Sequence, residues 1–156
     1  EDVTRVTQLV NKTNQFNLTT RRYREDEVVE AMAAPDTMTL QIRLADKFAD
    51  HGMIAVIMGK KVEDRLFIDT WLMSCRVLGR GVEEACGNLV MENAHRMGAS
   101  SVTGLYKPTA KNEMVAQHYA KLGFEKVREY ENGETRWILS VSGYVPRPSH
   151  IEVNEG

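Results

Sequence analysis

A loop with two glycines between a strand and a long helix constrains the fold of this chain more than any other feature. The mostly apolar segment 66–75 predicts a strand, and Arg76-Val-Leu-Gly-Arg-Gly-Val82 follows it directly. From Val82 to Met97 apolar residues recur at nearly 3.6-residue spacing, which predicts an amphipathic helix that ends at Gly98. The backbone N–H groups of such a junction and the positive end of the helix dipole favour an anion, usually phosphate, although some of these junctions are only tight turns.

The remaining segments predict an α/β fold in which a mixed sheet is flanked by helices. Strands are predicted at about 16–23, 37–48, 53–58, 102–106, 125–130 and 135–141, and helices at 3–10, from Glu25 to before Pro35, and at 112–122. The three strands before the glycine loop are joined by short turns, which predicts an antiparallel meander. The helix that follows requires the sheet to become mixed.

Composition excludes several classes of function. A chain of 156 residues with 42% hydrophobic residues is large enough to bury one core. Its net charge of −2 argues against a general nucleic-acid binder, and no apolar run approaches the roughly 20 residues that a membrane span needs. Cys75 and Cys86 offer no disulfide framework, so we expect a cytoplasmic protein.

Two motifs resemble those of the GNAT acyltransferase fold. The first is the loop 76–83, and the second and stronger is 112–124, where Tyr119 follows Asn112 by seven residues and Leu-Gly-Phe ends the segment. The order of elements agrees with that fold over residues 16–141, about four fifths of the chain. The resemblance implies a mixed sheet of six to seven strands. It also implies a pantetheine arm, from coenzyme A or an acyl carrier protein, that lies between splayed strands four and five like an added strand.

A narrower resemblance links the chain to the C-terminal half of FkbH-like proteins. It rests on residues 6–23, 74–83 and 106–112. This resemblance implies a domain that handles a glyceryl thioester on an acyl carrier protein during the synthesis of methoxymalonyl extender units. Its implied partners are that carrier protein and an upstream phosphatase domain of the haloacid dehalogenase class in the same polypeptide. No Asp-x-Asp occurs in this chain, so the phosphatase centre is absent from it.

This resemblance also implies domain boundaries. We expect 1–14 to be a helix and linker from the upstream domain, 15–144 to be the acyltransferase-like domain, and 145–156 to be an irregular tail.

The resemblance assigns a phosphopantetheine thioester to the glycine loop and the second motif. The residues so assigned are Arg76, Val77, Leu78, Gly79, Arg80, Gly81, Val82 and Asn112. When residue types alone are compared, Arg76, Gly79 and Gly81 fit the family's phosphate motif. When residues are counted back from Gly98 through a helix of typical length, Leu78, Gly81 and Glu83 align with that motif instead. Glu83 then either complements the helix dipole in a domain that has lost coenzyme A binding, or tolerates the single phosphate of a carrier arm.

Two residues are candidates for catalysis. Tyr119 occupies the place where GNAT enzymes often hold the general acid for the departing thiolate, and its alternative role is plain core. Cys75 ends the strand before the loop and could hold the acyl group as a thioester, or it is a small buried residue. Asp69 could act as a base if it faces the groove, whereas His118 is expected at the surface. No metal is expected.

Six basic residues are candidates for a rim that steers an acidic carrier protein. They are Lys60, Lys61, Arg65, Arg80, Lys107 and Lys111. Three functions follow from the sequence: an acyl-transfer enzyme acting on a thioester, a non-catalytic domain that recruits the carrier protein, and an acetyl-CoA-dependent N-acetyltransferase.

Overall fold

A computed structural model describes residues 3–45, 50–79, 81–148 and 153–155 of the chain. The helices are α1 (Val3–Lys12), α2 (Glu25–Ala33), α3 (Val82–Arg96) and α4 (His118–Lys121). The strands are β1 (Thr37–Ala45), β2 (Asp50–Val62), β3 (Arg65–Met73), β4 (Ser101–Tyr106), β5 (Glu125–Glu129), β6 (Thr135–Ser140) and β7 (Val153–Glu155). Single 3-10 turns cover Cys75–Val77 and Glu113–Val115.

The described strands form one mixed seven-stranded sheet in the order β5-β6-β4-β3-β2-β1-β7. The meander β1-β2-β3 is antiparallel, as the sequence predicts. β3 and β4 pair in parallel, and α3 connects them because parallel neighbours need a crossover rather than a hairpin. The mixed α/β sheet flanked by helices is therefore confirmed.

Apolar side chains are buried on both faces of the sheet. The larger cluster contains residues of α3 and of the segment around α4, together with Trp71 and Met73 from β3. The smaller cluster packs α1 and α2 over β2 and β3, with Val6 and Val10 fully buried. Residues 53–59 of β2 are all buried, which is the burial expected of a central strand covered on both sides.

The predicted strand at 16–23 is wrong. The segment makes one isolated antiparallel bridge, between Asn17 and Leu72, and then turns. The turn forms because Asn17 Oδ1 accepts a hydrogen bond from the Thr20 backbone N–H at 2.9 Å, and Thr20 takes a positive φ of 54°. A side chain that bonds its own backbone in this way competes with strand pairing.

The predicted helix at 112–122 is shorter than expected, since only His118–Lys121 is α-helical and it follows a separate 3-10 turn.

Both ends of the chain belong to the fold more closely than the expected boundaries imply. α1 packs its apolar face into the smaller cluster, while its origin in an upstream domain stays a prediction. The tail is not wholly irregular either, since β7 pairs antiparallel with β1 over Val153–Glu155.

A glycine in β4 provides a test of this packing. A Cβ at Gly104 would lie 2.3 Å from Cζ of the buried Tyr119 ring. We expect Gly104→Ala to lower the free energy of unfolding by about 1–3 kcal/mol in urea denaturation, the range for overpacked cores. Gly87→Ala is the control. Gly87 lies inside α3, and its new methyl group would contact Leu122 at an ordinary 3.4 Å, so the free energy of unfolding should stay the same or rise. Equal effects of the two substitutions would contradict the packing described here.

Candidate active site

The pairing between β3 and β4 ends part-way along both strands. Paired residues run from Arg65 and Ser101 to Ile68 and Gly104. On the other side of β3, Met58 and Gly59 of β2 pair with Thr70 and Ile68, so Asp69 is the extra residue of a β-bulge. A bulge bends and twists its strand. We call the gap between residues 69–73 of β3 and the end of β4 the wedge.

The chain fills this wedge with its own residues Phe16–Leu18, which we call the inserted segment. Leu18 N–H donates to the Trp71 carbonyl at 3.0 Å, and Met73 N–H donates to the Phe16 carbonyl at 3.1 Å. On the β4 side, Lys107 N–H donates to the Leu18 carbonyl at 2.8 Å. The resemblance places the pantetheine arm along this same edge, so the edge is already paired in the structure.

Asn112 ties the inserted segment to the loop after β4. Its Nδ2 donates to the carbonyls of Asn17 and Lys107, both at 2.9 Å, and its Oδ1 accepts from Thr109 N–H at 2.7 Å. The side chain is fully buried and makes no capping bond to the following 3-10 turn. These bonds use both of its donors, so in this conformation Asn112 holds the chain together rather than offering an amide to a cofactor.

Three polar aromatic side chains meet beneath the inserted segment. The His118 ring centroid lies 4.5 Å from that of Trp71 and 5.3 Å from that of Tyr119, and Phe16 covers it at 5.1 Å. All three are at least 95% buried. Trp71 Nε1, His118 Nε2 and the Tyr119 hydroxyl have no hydrogen-bond partner in the described part of the chain. Buried polar groups in native proteins are rarely left unpaired, which marks this cluster as a candidate site.

Tyr119 lies at the apex of the wedge, and its role as general acid stays a prediction. Its ring lies against Gly104, the last residue of β4 that pairs with β3. Burial raises the pKa of Tyr119 strongly, and the negative charge of Asp69 raises it further. The hydroxyl therefore stays protonated at neutral pH, and it lies within electrostatic reach of Asp69.

Asp69 opens to solvent at the bulge. Its carboxylate forms an ion pair with Arg21 and accepts a hydrogen bond from the Tyr23 hydroxyl at 3.2 Å. Burial raises the pKa of Tyr23 to about 12. Together with Lys60, these three residues line part of a cleft of about 290 Å³ beside α2. Asp69 therefore offers a carboxylate to a solvent-accessible cleft, within electrostatic range of the protonated Tyr119 hydroxyl.

The glycine loop has the backbone of an anion site, but a carboxylate already lies against it. Gly79 and Gly81 both have a φ near +80°, and α3 starts directly after Gly81. Glu83, in the first turn, accepts a hydrogen bond from Gly79 N–H at 3.5 Å through Oε2. Its Oε1 is buried and unpartnered among the described residues. Which of the two alignments of the phosphate motif applies stays a prediction.

The other predicted loop residues differ in burial and in the direction of their side chains. Val77 and Val82 are fully buried and Leu78 packs against the larger cluster, so only their backbones could face a ligand. Arg76 is exposed and donates to the His51 carbonyl at 2.6 Å. Arg80 lies outside the described residues.

Cys75 is exposed, so the alternative of a small buried residue is wrong. Its thiol lies 3.5 Å from Gln15 Oε1, in an open groove of about 560 Å³ that Lys12 and Lys111 also line. Its role as nucleophile stays a prediction. Cys86 is buried in the larger cluster, and burial and then Glu83 raise its thiol pKa strongly.

The five described residues of the predicted basic rim do not gather in one place, and the sixth, Arg80, lies outside the described residues. Lys60, Lys61 and Arg65 flank the β2–β3 turn at the start of the parallel strands, whereas Lys107 and Lys111 follow the end of β4.

Within the described ranges, no group of three or more His, Cys, Asp and Glu side chains is arranged to hold a metal ion. None of the helices in those ranges is long and apolar enough to cross a bilayer.

Comparison with solved structures decides the fold. The GNAT domain of PAT from S. lividans matches with a TM-score of 0.65 and 16% identity, covering 89% of this chain and 85% of that one. The chain has the GNAT fold. A ribosomal-protein alanine N-acetyltransferase from Escherichia coli matches with a TM-score of 0.65 and 14% identity over 92% of this chain and 90% of its own. Spermidine N-acetyltransferase from Vibrio cholerae, solved with CoA and spermine, matches with a TM-score of 0.64 and 13% identity over 90% of both chains.

At sequence level the results are negative. No family model matches the sequence, and comparison with curated proteins finds no match.

Two features of the candidate site were not predicted from the sequence. His118 is 5% exposed rather than at the surface, because the short α4 turns its ring under Phe16. The inserted segment belongs to the predicted strand at 16–23, which does not form as a strand of the sheet. Its alternation of apolar Phe16 and Leu18 with polar Asn17 and Thr19 was the available signal, and it predicted extended backbone without showing where that backbone pairs.

The buried histidine predicts a pH dependence. Burial, and secondly the positive charge of Lys121, lower the pKa of His118 from 6.5 to about 3. Between these values the unfolded chain binds a proton that the folded chain does not, so stability falls as the pH falls. From pH 7 to pH 5 the wild type should lose about 2 kcal/mol more free energy of unfolding than His118→Leu, measured by urea denaturation. Parallel pH profiles of the two proteins would contradict a neutral buried imidazole.

Proposed function

We propose that this domain transfers an acyl group from a pantetheine thioester at the apex of the wedge. The observation that carries the proposal is the Tyr119 hydroxyl, buried and unpartnered at the point where β3 and β4 part, with the Asp69 carboxylate close by. An acid and a base beside one reacting carbonyl are what thioester transfer needs. The GNAT fold supports the same chemistry by analogy.

The two groups have distinct roles in this proposal. An acceptor enters from the cleft beside α2. Asp69 takes a proton from the acceptor as the acceptor attacks the thioester carbonyl. The carbon–sulfur bond then breaks, and Tyr119 donates its proton to the departing thiolate. With its pKa raised by burial, Tyr119 is a poor donor while the wedge is filled, and contact with a polar ligand or solvent would bring that pKa down.

We further propose that the donor is a carrier-protein arm rather than free coenzyme A. Glu83 supports this choice, because its carboxylate lies against the loop N–H that would otherwise receive phosphate. A carrier arm brings one phosphodiester charge, whereas coenzyme A brings a pyrophosphate and a further phosphate. The FkbH-like resemblance adds a glyceryl unit, destined for a methoxymalonyl-type extender unit, and an upstream phosphatase domain as partner.

Tyr119→Phe tests the catalytic proposal. With acyl-loaded carrier protein as donor, we expect kcat to fall 10²- to 10⁴-fold, the range for loss of a general acid, with KM little changed. The free energy of unfolding should hold or rise, because the lost hydroxyl has no partner. Tyr106→Phe is the control, since the hydroxyl of that buried tyrosine makes a single long hydrogen bond among the described residues, to Asn112 at 3.5 Å. Unchanged kcat in Tyr119→Phe would remove Tyr119 from the mechanism.

Glu83→Gln tests donor discrimination. We expect its affinity for coenzyme A to rise about tenfold in calorimetric titration, since about 1.4 kcal/mol of repulsion would be removed. Glu84→Gln removes the same charge from the same turn without touching the Gly79 N–H, so it should change affinity less. If the wild type binds free coenzyme A tightly, the discrimination is refuted and the N-acetyltransferase function is favoured instead.

A non-catalytic docking role is the second candidate, and the filled wedge favours it. In that case the domain would bind loaded carrier protein without releasing the acyl group. The role of Cys75 is open to the same assay. Intact-mass comparison of wild type and Cys75→Ala, after incubation with loaded carrier, shows whether an acyl adduct forms on that thiol.

A further inference from the structure

We propose that the inserted segment, Phe16–Leu18, is a displaceable occupant of the thioester site, which stays closed to its donor until this segment leaves. The inference rests on the proposed function, because it concerns access to the same site. It makes the segment between α1 and α2 a built-in competitor of the pantetheine arm.

The hydrogen bonds of the segment are those of a strand added to an edge. The Trp71 carbonyl accepts from Leu18 N–H, and Met73 N–H donates to the Phe16 carbonyl. These two groups of β3 are the partners that any extended chain with amides would use there, and pantetheine carries two amides. The segment and a pantetheine arm therefore compete for one donor and one acceptor, and both cannot be bound at once.

The inserted segment leaves polar atoms of the side chains beneath it without hydrogen bonds. Phe16 covers His118 with an apolar ring. It therefore gives no hydrogen bond to His118 Nε2 or to Trp71 Nε1. A closed core evolved only for packing would place apolar residues at these positions, because buried polar groups without partners are destabilising. The cluster is better suited to a polar ligand than to the segment that covers it.

A strained residue also follows the segment closely. Thr20 has a φ of 54°, a conformation that β-branched residues rarely adopt. Bonds around it hold this geometry: Asn17 Oδ1 accepts from Thr20 N–H at 2.9 Å, and the Thr19 hydroxyl donates to the Asp69 carbonyl at 2.7 Å. Withdrawal of the segment would relax Thr20 and free the Asp69 backbone at the bulge.

The glycine loop repeats the arrangement. There the Glu83 carboxylate lies on a backbone N–H in the place of a phosphate, as the inserted segment lies on the β3 edge in the place of pantetheine amides. Because the segment is buried, its release opposes binding. The apparent affinity for the donor falls by the fraction of molecules that are open.

A disulfide across the bridge tests the proposal. Asn17 and Leu72 form a non-hydrogen-bonded antiparallel pair, whose Cα atoms lie about 4.5 Å apart, within disulfide range. We would combine Asn17→Cys with Leu72→Cys, confirm the bridge by peptide mapping, and titrate the oxidised and reduced forms of the full chain with S-acetylpantetheine. This probe has no phosphate, so Glu83 does not influence the result. The reduced form should bind at least tenfold more tightly than the oxidised form.

A second variant and a second readout guard against a misfolded double variant. Thr19→Val keeps the side-chain shape but removes the bond to Asp69, so it should bind the probe several-fold more tightly than wild type. In wild type, the probe should speed hydrogen exchange of the Leu18 amide, whereas the Met73 amide, re-paired with the ligand, should stay protected.

The outcomes distinguish failure of the displacement proposal from failure of the proposed acyl transfer. Equal binding by oxidised and reduced forms, or binding with no change in Leu18 exchange, would overturn the displacement and leave acyl transfer standing. No binding by any form, Thr19→Val included, would overturn both.

Discussion

The bulge at Asp69 is the constraint on which the rest of the structure depends. Before it, Leu66 and Ile68 point to the face covered by α3, and after it Trp71 and Met73 point to that same face. Without the extra residue, the side-chain period of two would send the second pair to the opposite face. The bulge thus keeps one continuous core along β3 while the strand parts from β4.

That parting leaves an edge of β3 that β4 does not pair, and it forms the candidate site. A free edge of backbone groups inside a protein must be paired, because unpaired buried groups are destabilising. The chain meets this requirement with Phe16–Leu18, and Asn112 secures them from the β4 side. The backbone that the proposed thioester arm would use is therefore paired within the chain. Trp71 Nε1, His118 Nε2 and the Tyr119 hydroxyl, beneath the segment, have no hydrogen-bond partner among the described residues.

Much of the architecture was predictable because local pattern and tertiary role agree. The helix after the glycine loop, the buried central strand and the Asn-Gly hairpin all appear close to the predicted positions. Predictions failed where a side chain bonded its own backbone, as at Asn17, or where a segment turned out shorter than its pattern, as at His118–Lys121. For the candidate site, the sequence motifs singled out Tyr119 and the glycine loop, and counting helix length singled out Glu83; their functional roles stay predictions. The mutual contacts of Trp71, His118 and Phe16 carried no spacing signal, since they join three distant segments.

The sequence by itself determined the fold class, because hydrophobic periodicity and glycine placement specify which residues can form strands, helices and turns. It also determined the chemistry on offer at Tyr119, Asp69 and Glu83, since the functional groups belong to the residues. Only the tertiary structure decided what those groups face. Burial gave Tyr119 its high pKa, a one-residue bulge opened the wedge, and pairing across more than fifty residues of chain placed Phe16–Leu18 inside it. Such long-range pairing depends on the closure of the whole sheet, and no local pattern records it.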